Sequence, residues 1–221
     1  MQEKIQYRKP VLYEEDYIGL DYIRVWFRDF KPEEFGSIGS IVMNCNPFTL
    51  GHRYLIEEAL KQVEYLIIFV VEEDKSVFTF EERYAMVEDG VKDLNNVMVV
   101  PSGDYILSQT TFPEYFKKTE DEDIQENVEN DITIFAQRIA PRLHITHRFV
   151  GEEKDDPITN RYNDAMKEIL PQHGVQLIEI PRKEIEGNRV RATNVRKCLE
   201  NGDYKGLKKL VPESTLNILF S

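Results

Sequence analysis

A threonine and a histidine lie three residues apart at the point where a strand-like segment gives way to a helical pattern. Apolar residues 41–43 are followed by a short polar loop, and Thr49, Gly51 and His52 then lead into apolar positions spaced as in a helix. The first N–H groups of a helix lack intrahelical acceptors and the helix dipole is positive there, so the position favours an anion. The pattern therefore predicts a phosphate site that contains a titratable ring, against the alternative of a histidine that only fills space.

A histidine in this position could serve a phosphoryl group in either protonation state. The neutral ring of His52 donates from one nitrogen, and the protonated ring adds positive charge where negative charge develops. Gly51 would let backbone approach a ligand closely, although glycine also begins helices for steric reasons alone. Gly151, at another strand end, either admits an adenine or ribose against the backbone or is an ordinary strand-end glycine. Cys45 has no adjacent base, so we expect it to pack rather than to act as a nucleophile.

The elements that must position these residues alternate along the chain as strand and helix. The apolar patterns predict strands at 41–45, 65–71, 97–100, 147–151 and 175–180, and helices at 51–63, 80–94, 131–140, 159–170, 190–200 and 204–210. Such alternation predicts an α/β fold, a Rossmann-like doubly wound parallel sheet of about five strands with right-handed crossovers. Ligands of such sheets bind beyond the carboxyl ends of the strands, where the strand order switches, and residues 44–52 fall there.

Composition limits the classes of function. The chain has 221 residues and a formal net charge of −12, which argues against nucleic acid as its main partner. No segment reads as a signal peptide or a membrane span, and the two cysteines lack metal-site spacing, so we expect a cytoplasmic protein with free thiols. We expect a short N-terminal arm, residues 1–36, and a domain, residues 37–221. Residues 22–30 alternate like a strand, so the arm would pack on the domain or on a second subunit of a homodimer.

Three motifs in order resemble those of the nucleotidyltransferase superfamily, whose folds are of the HUP type. Residues 46–52 (NPFTLGH) resemble the T-x-G-H form of its H-x-G-H motif, residues 78–83 (FTFEER) look like its F-x-x-x-E-R segment, and residues 190–196 (VRATNVR) are similar to I-S-x-[ST]-x-[IV]-R. The resemblance implies that Arg83 and Lys75 reach phosphates, and that Thr193 and Arg196 bind the β- and γ-phosphates. The first motif and the residues before it imply further nucleotide contacts from Asn44, Asn46, Phe48 and Gly51.

A narrower resemblance extends from Phe35 to Leu219. Together with the first motif, residues 111–116 (TFPEYF), 146–153 (THRFVGEE), 159–163 (TNRYN) and 207–219 (LKKLVPESTLNIL) resemble the catalytic domain of [citrate (pro-3S)-lyase] ligase. That family activates acetate with ATP as acetyl-adenylate, releases pyrophosphate, and acetylates a thiol on an acyl carrier subunit. Two departures bear on the acceptor. The arm is too short for the acetyltransferase-like domain that usually comes first, and Arg191 stands where the family commonly has serine.

The resemblance implies in-line attack on the α-phosphate of ATP by an oxygen of a small carboxylate or phosphate-ester acceptor. His52 and Thr49 would hold the α- and β-phosphates, while Arg83, Arg196 and Thr193 would hold the leaving pyrophosphate with Mg²⁺ on its oxygens. We expect no metal site made by protein ligands alone. Two alternatives stay open: a cytidylyltransferase that uses CTP and an alcohol phosphate, and a nucleotide-binding regulator without turnover.

Overall fold

A five-stranded parallel sheet forms the centre of the protein. The structure is a computed structural model, and it describes residues 26–73, 76–117 and 124–220. The strands of the sheet are β1 (Ile38–Met43), β2 (Tyr65–Val70), β3 (Val97–Pro101), β4 (Ile145–Gly151) and β5 (Gln176–Ile180). They pair in the order β3-β2-β1-β4-β5, and every pairing is parallel. The predicted α/β doubly wound sheet is confirmed, and its strand order switches between β1 and β4.

Helices cover both faces of the sheet. They are α1 (Leu50–Leu60), α2 (Phe80–Val91), α3 (Glu114–Lys117), α4 (Ile124–Ile134), α5 (Pro157–Ile169), α6 (Ala192–Glu200), α7 (Tyr204–Leu210) and α8 (Glu213–Leu219). A π-helical turn (Phe135–Ile139) continues α4, and a two-stranded hairpin of β6 (Glu184–Ile185) and β7 (Asn188–Arg189) precedes α6. The sequence patterns missed α3, α8 and the hairpin.

Two apolar cores lie on opposite faces of the sheet, because successive side chains of a strand point to opposite sides. In β2, Ile67 and Phe69 belong to one core, whereas Leu66 and Ile68 belong to the other. The first core lies under α4 and α5, and the second lies under α1 and α2. Burial on both faces explains why the strand reads as an uninterrupted apolar run.

The described end of the predicted N-terminal arm packs on the first core. Phe27 is buried in the first core, with its ring centroid 6.5 Å from that of Phe69. Residues 27–29 form a turn rather than the predicted strand, because Phe27 and Phe30 are placed by tertiary contacts among aromatic rings. The rest of the predicted strand lies outside the described residues. Within the described part of the chain, no helix has the length and apolar character that crossing a membrane requires.

Candidate functional site

A cavity of about 440 Å³ opens at the carboxyl ends of β1 and β4, where the strand order switches. Among the predicted site residues, it is lined by Asn44, Asn46, Thr49, Gly51, His52, Gly151 and Arg196. Residues that are remote in sequence therefore meet at one place, as expected for a doubly wound sheet. Of the other predicted residues, Phe48, Arg83 and Thr193 lie outside the cavity lining, and Lys75 lies outside the described residues.

His52 closes a reciprocal cap at the start of α1. The backbone N–H of Thr49 donates to Nδ1 of His52 at 3.0 Å, and the backbone N–H of His52 donates to the Thr49 hydroxyl at 3.3 Å. This arrangement is a capping box in which histidine takes the place usually held by Glu or Gln. The cap satisfies two backbone donors and fixes the orientation of the imidazole at the helix N-terminus.

The same contacts decide the protonation state of the ring. Burial, together with the smaller effect of the positive charge of Arg182, lowers the pKa of His52 to about 4. The ring is therefore neutral at pH 7. Because Nδ1 accepts a hydrogen bond from Thr49, the proton of the neutral ring is on Nε2. Of the two chemistries expected for this ring, the structure supports hydrogen-bond donation rather than a permanent positive charge.

Phe48 supports the imidazole from behind. Its side chain is fully buried, and its ring stacks on that of His52 with centroids 5.8 Å apart and an interplanar angle of 16°. The hydroxyl of Thr215 in α8 donates to the Phe48 carbonyl oxygen at 3.0 Å. This burial differs from the expected nucleotide contact, because the phenyl ring packs in the second core. Phe48 thus positions His52 and does not line the cavity.

Arg83 is also fully buried, which differs from the predicted role in binding phosphate. Its guanidinium donates to the carbonyl oxygens of Asn44 at 2.8 Å, Val71 at 2.8 Å and Glu73 at 2.7 Å. It also donates to the carbonyl oxygen of Phe78 and to the side-chain oxygen of Asn44. The arginine therefore ties the loop after β1 to the loop after β2. Spacing alone could not tell a phosphate contact from a backbone contact.

The start of α6 reaches the same loop from the other end of the chain. Arg196 lines the cavity and donates to the Asn46 carbonyl oxygen at 2.5 Å and to the Thr193 hydroxyl at 3.2 Å. Thr193 itself is exposed at the first turn of α6. A β-carbon at Gly51 would lie 3.1 Å from the Val190 carbonyl oxygen, so this glycine lets α1 approach the segment before α6. The three motifs thus form one structural unit.

Gly151 leaves open space at the cavity wall. A β-carbon built at this residue would meet no atom within 4 Å, although the residue lines the cavity. The side-chain amide of Asn163 donates to its carbonyl oxygen at 3.4 Å. Tyr162 is buried and lines the cavity. Cys45 is buried in the second core and burial raises the pKa of its thiol, which agrees with a packing role.

Sequence reasoning missed several cations in the cavity lining, namely Arg148, Arg182 and Lys183. Arg182 follows β5 by two residues and donates to the Glu152 carbonyl oxygen at 2.7 Å. Its place after a strand end was the signal that could have identified it. Arg191, already noted as an unusual residue, lines the cavity and pairs with Asp155. An acidic chain therefore carries a locally basic cavity.

The parallel sheet, the switch point and the capped histidine together define an α/β fold of the nucleotidyltransferase type. The chain belongs to the family of the citrate lyase ligase C-terminal domain, whose model matches residues 38–219. It is 45% identical over 187 residues to [citrate [pro-3S]-lyase] ligase of Haemophilus influenzae, covering 82% of this chain and 56% of that protein. It is 40% identical over 188 residues to the enzyme of the same name from Escherichia coli, covering 83% and 53%. The chain spans about half the length of these curated relatives.

A solved structure supports the fold. Thermotoga maritima TmcAL, crystallised with alpha-thio ATP, is similar with a TM-score of 0.53 at 14% identity. The match covers 83% of this chain and 55% of that chain. The likeness confirms the fold expected from the sequence, with flanking helices on a five-stranded parallel sheet.

Proposed function

We propose that the chain transfers the adenylyl group of ATP to a small carboxylate and releases pyrophosphate. The observation that carries the proposal is the His52 ring, which lines the cavity at the start of α1 with Nδ1 occupied and its proton on Nε2. A neutral imidazole held in this way is a preorganised donor for a phosphoryl oxygen. The names of the relatives and the ATP analogue bound to the structural neighbour support the choice of ATP.

In the proposed reaction, a carboxylate oxygen attacks the α-phosphorus in line. A new O–P bond forms, the bond from the α-phosphorus to the oxygen that bridges to the β-phosphate breaks, and pyrophosphate leaves with the electron pair. Little covalent chemistry falls to the protein, so its residues position groups and stabilise charge. His52 would donate to an α-phosphate oxygen, and the N–H groups that begin α1 would face the same phosphate.

The leaving pyrophosphate would lie between α1 and α6. Arg196 lines this part of the cavity, and Thr193 lies in the first turn of α6, so both retain their proposed role. Thr49 is almost fully buried and its hydroxyl is engaged by His52, so we assign it to holding the imidazole. The open wall at Gly151 would admit the adenine or ribose. Asn44 and Asn46 would shape the loop that contacts the nucleotide.

Mg²⁺ would enter with the nucleotide. Among the described residues, no group of three or more His, Cys, Asp or Glu side chains could hold a metal ion. Triphosphate oxygens are ligands that Mg²⁺ commonly uses. We assign these oxygens to the ion, and bound Mg²⁺ would supply charge neutralisation on the phosphates.

In a second step, the acyl group of the acyl-adenylate would pass to a carrier. The curated relatives are named as ligases of citrate (pro-3S)-lyase. We infer that a thiol of an acyl carrier subunit attacks the carbonyl carbon of the acyl-adenylate. A C–S bond would form, the C–O bond to AMP would break, and the thiol proton would pass to solvent.

Pyrophosphate release from a panel of nucleotides and acceptors tests the proposal. ATP and CTP are each offered with short-chain carboxylates and with alcohol phosphates. We expect ATP with a carboxylate to be preferred, and His52→Ala to lower its turnover by about 100-fold or more, as for loss of one transition-state donor. His173→Ala, at an exposed residue, is the control and should retain turnover.

Three outcomes would contradict parts of the proposal. Preference for CTP and an alcohol phosphate would favour the cytidylyltransferase alternative. ATP binding without turnover on any acceptor would favour a regulator. Near-normal ATP–pyrophosphate exchange in His52→Ala would refute the role of the imidazole itself.

A further inference from the structure

Arg148 is a buried cation in the cavity wall, and two of its guanidinium nitrogens have no hydrogen-bond partner among the described residues. Its side chain is 3% exposed, and it lines the cavity from β4. Its Nε and Nη1 atoms are buried without a hydrogen-bond partner among the residues that the structure describes. Its guanidinium carbon lies 4.9 Å from the centroid of the Phe135 ring. Since buried donors are nearly always satisfied, such a group in a cavity points to a ligand that accepts hydrogen bonds.

The nearby acid does not fill this role. Asp131 is fully buried, and its oxygens accept from the backbone N–H of Leu107 at 2.8 Å, from the Tyr162 hydroxyl at 2.5 Å and from the Thr111 hydroxyl. Asp131 acts on the charge of Arg148 through space. Its lone pairs, however, are directed to these other donors. The Nε and Nη1 donors of the guanidinium therefore lack an acceptor among the described residues, in a side chain that lines the cavity.

The wall around Arg148 is apolar and aromatic. Arg148 and Val150 share one face of β4, since residues two apart in a strand point the same way. On this face, the cavity is lined by members of the first core and by residues packed on it, namely Val42, Leu107, Tyr115, Phe116, Val150, Tyr162 and Met166. The other cations that line the cavity lie in the segment between β5 and α6 or in α6 itself, namely Arg182, Lys183, Arg191 and Arg196. One guanidinium among apolar side chains suits a singly charged acid with a short hydrocarbon part.

We propose that Arg148 binds the carboxylate of a short-chain monocarboxylic acid, the acceptor of the adenylyl group. This inference rests on the proposed function and names the residue that would hold its acceptor. The planar guanidinium offers paired N–H donors that match a carboxylate. One carboxylate oxygen would be held by these donors and the other would be directed to the α-phosphorus. The walls contributed by Phe116 and Met166 would limit the chain length of the acid.

Arg148→Lys and Arg148→Gln test the proposal through the acceptor. In ATP–pyrophosphate exchange with acetate, we expect Arg148→Gln to raise the KM for acetate by about tenfold or more, since a charged group loses its partner. Arg148→Lys keeps the charge but lacks the planar guanidinium, so its KM for acetate should lie between those of the original chain and Arg148→Gln. The Kd for ATP, measured by calorimetry, should stay within about threefold of the original because the nucleotide uses other elements. Arg142→Gln, at an exposed arginine, is the control.

A further variant tests whether the apolar walls limit the chain length of the acid. Phe116→Ala should shift the preference among acetate, propionate and butyrate toward the longer acids. An unchanged KM for acetate in Arg148→Gln, with the fold verified by circular dichroism, would overturn the proposal. If Arg148→Gln does not fold, the folded Arg148→Lys decides, and an unchanged acetate KM there overturns it.

Direct binding separates this inference from the proposed function. Line broadening of ¹³C-acetate is measured with the full chain and a non-hydrolysable ATP analogue. If no carboxylate supports exchange but acetate binds and Arg148→Lys weakens it, the proposed function fails while the carboxylate subsite stands. If acetate does not bind and inorganic phosphate does, the carboxylate subsite is refuted.

Discussion

At the scale of single residues, the protonation state of one imidazole determines what the site can do. Thr49 donates its backbone N–H to Nδ1 of His52, and burial keeps the ring neutral. A neutral ring costs less to bury than a charged one and needs no counterion. The neutral ring therefore presents one donor, the Nε2–H group, to a phosphoryl oxygen at pH 7.

The depressed pKa predicts a pH dependence of stability. The ordinary value is 6.5 and the folded value is about 4, so the unfolded chain binds the proton more tightly. The contribution of His52 to stability is complete above pH 6.5 and is lost as the pH falls toward 4. We expect the Tm of the original chain to drop more steeply over this window than that of His52→Gln, which keeps a capping residue that does not titrate.

NMR of the ring nitrogens is a second test of the lowered pKa of His52. The Nε2–H tautomer at neutral pH and a midpoint near 4 are the expected observations. A midpoint at the ordinary value, or a proton on Nδ1, would show that the Thr49 contact does not hold the ring. Identical Tm profiles for the two proteins would lead to the same conclusion.

At the scale of elements, the loops after β1 and β2 act as one unit because Arg83 joins them. Its guanidinium donates to backbone carbonyl oxygens on both loops, and Asn44 exchanges hydrogen bonds with Ser76 across the same gap. The helix that carries Arg83 begins with its own capping box, formed by Thr79 and Glu82. The rigid start of α2 thus holds the loop that precedes the imidazole.

Arg83→Met separates this role from a phosphate contact. We expect the free energy of unfolding to fall by roughly 3 kcal/mol or more, because several buried carbonyl oxygens lose their donor. The measurement is urea unfolding, with Arg138→Met at an exposed residue as the control. A variant that keeps its stability but loses ATP affinity would instead support the phosphate contact that the sequence motif suggests.

Local patterns predicted what depends on local physics. The apolar periods located the five strands of the sheet and most of the longer helices, and the Thr49–His52 spacing identified the helix start. The helix predicted at 131–140 begins earlier, since α4 starts at Ile124. Arg148 gave no such signal, because the sequence of one strand does not show whether an arginine in it is buried or exposed in the fold. Its burial depends on Phe135 and on α5, which are brought to β4 only by the tertiary fold. The same limit explains the burial of Phe48.

At the scale of the whole molecule, the last helix of the chain stabilises the first motif. Thr215 in α8 is fully buried and donates to the Phe48 carbonyl oxygen, 167 residues away in sequence. Phe48 in turn stacks on His52, and Gly90 of α2 permits that packing because a β-carbon there would lie 2.5 Å from the phenyl ring. The geometry of the imidazole thus depends on α2 and α8 as well as on α1.

Thr215→Val should therefore reduce turnover from outside the cavity. Valine keeps the shape but leaves the Phe48 carbonyl oxygen without its donor, at a cost of about 1–3 kcal/mol in unfolding free energy. We expect pyrophosphate release to slow as the support of His52 loosens, while Thr215→Ser, which keeps the hydroxyl, retains turnover despite losing a methyl group. Comparing the two variants at a temperature where both are folded isolates the hydrogen bond from general destabilisation. Equal turnover in both would show that α8 stabilises the fold without influencing the imidazole.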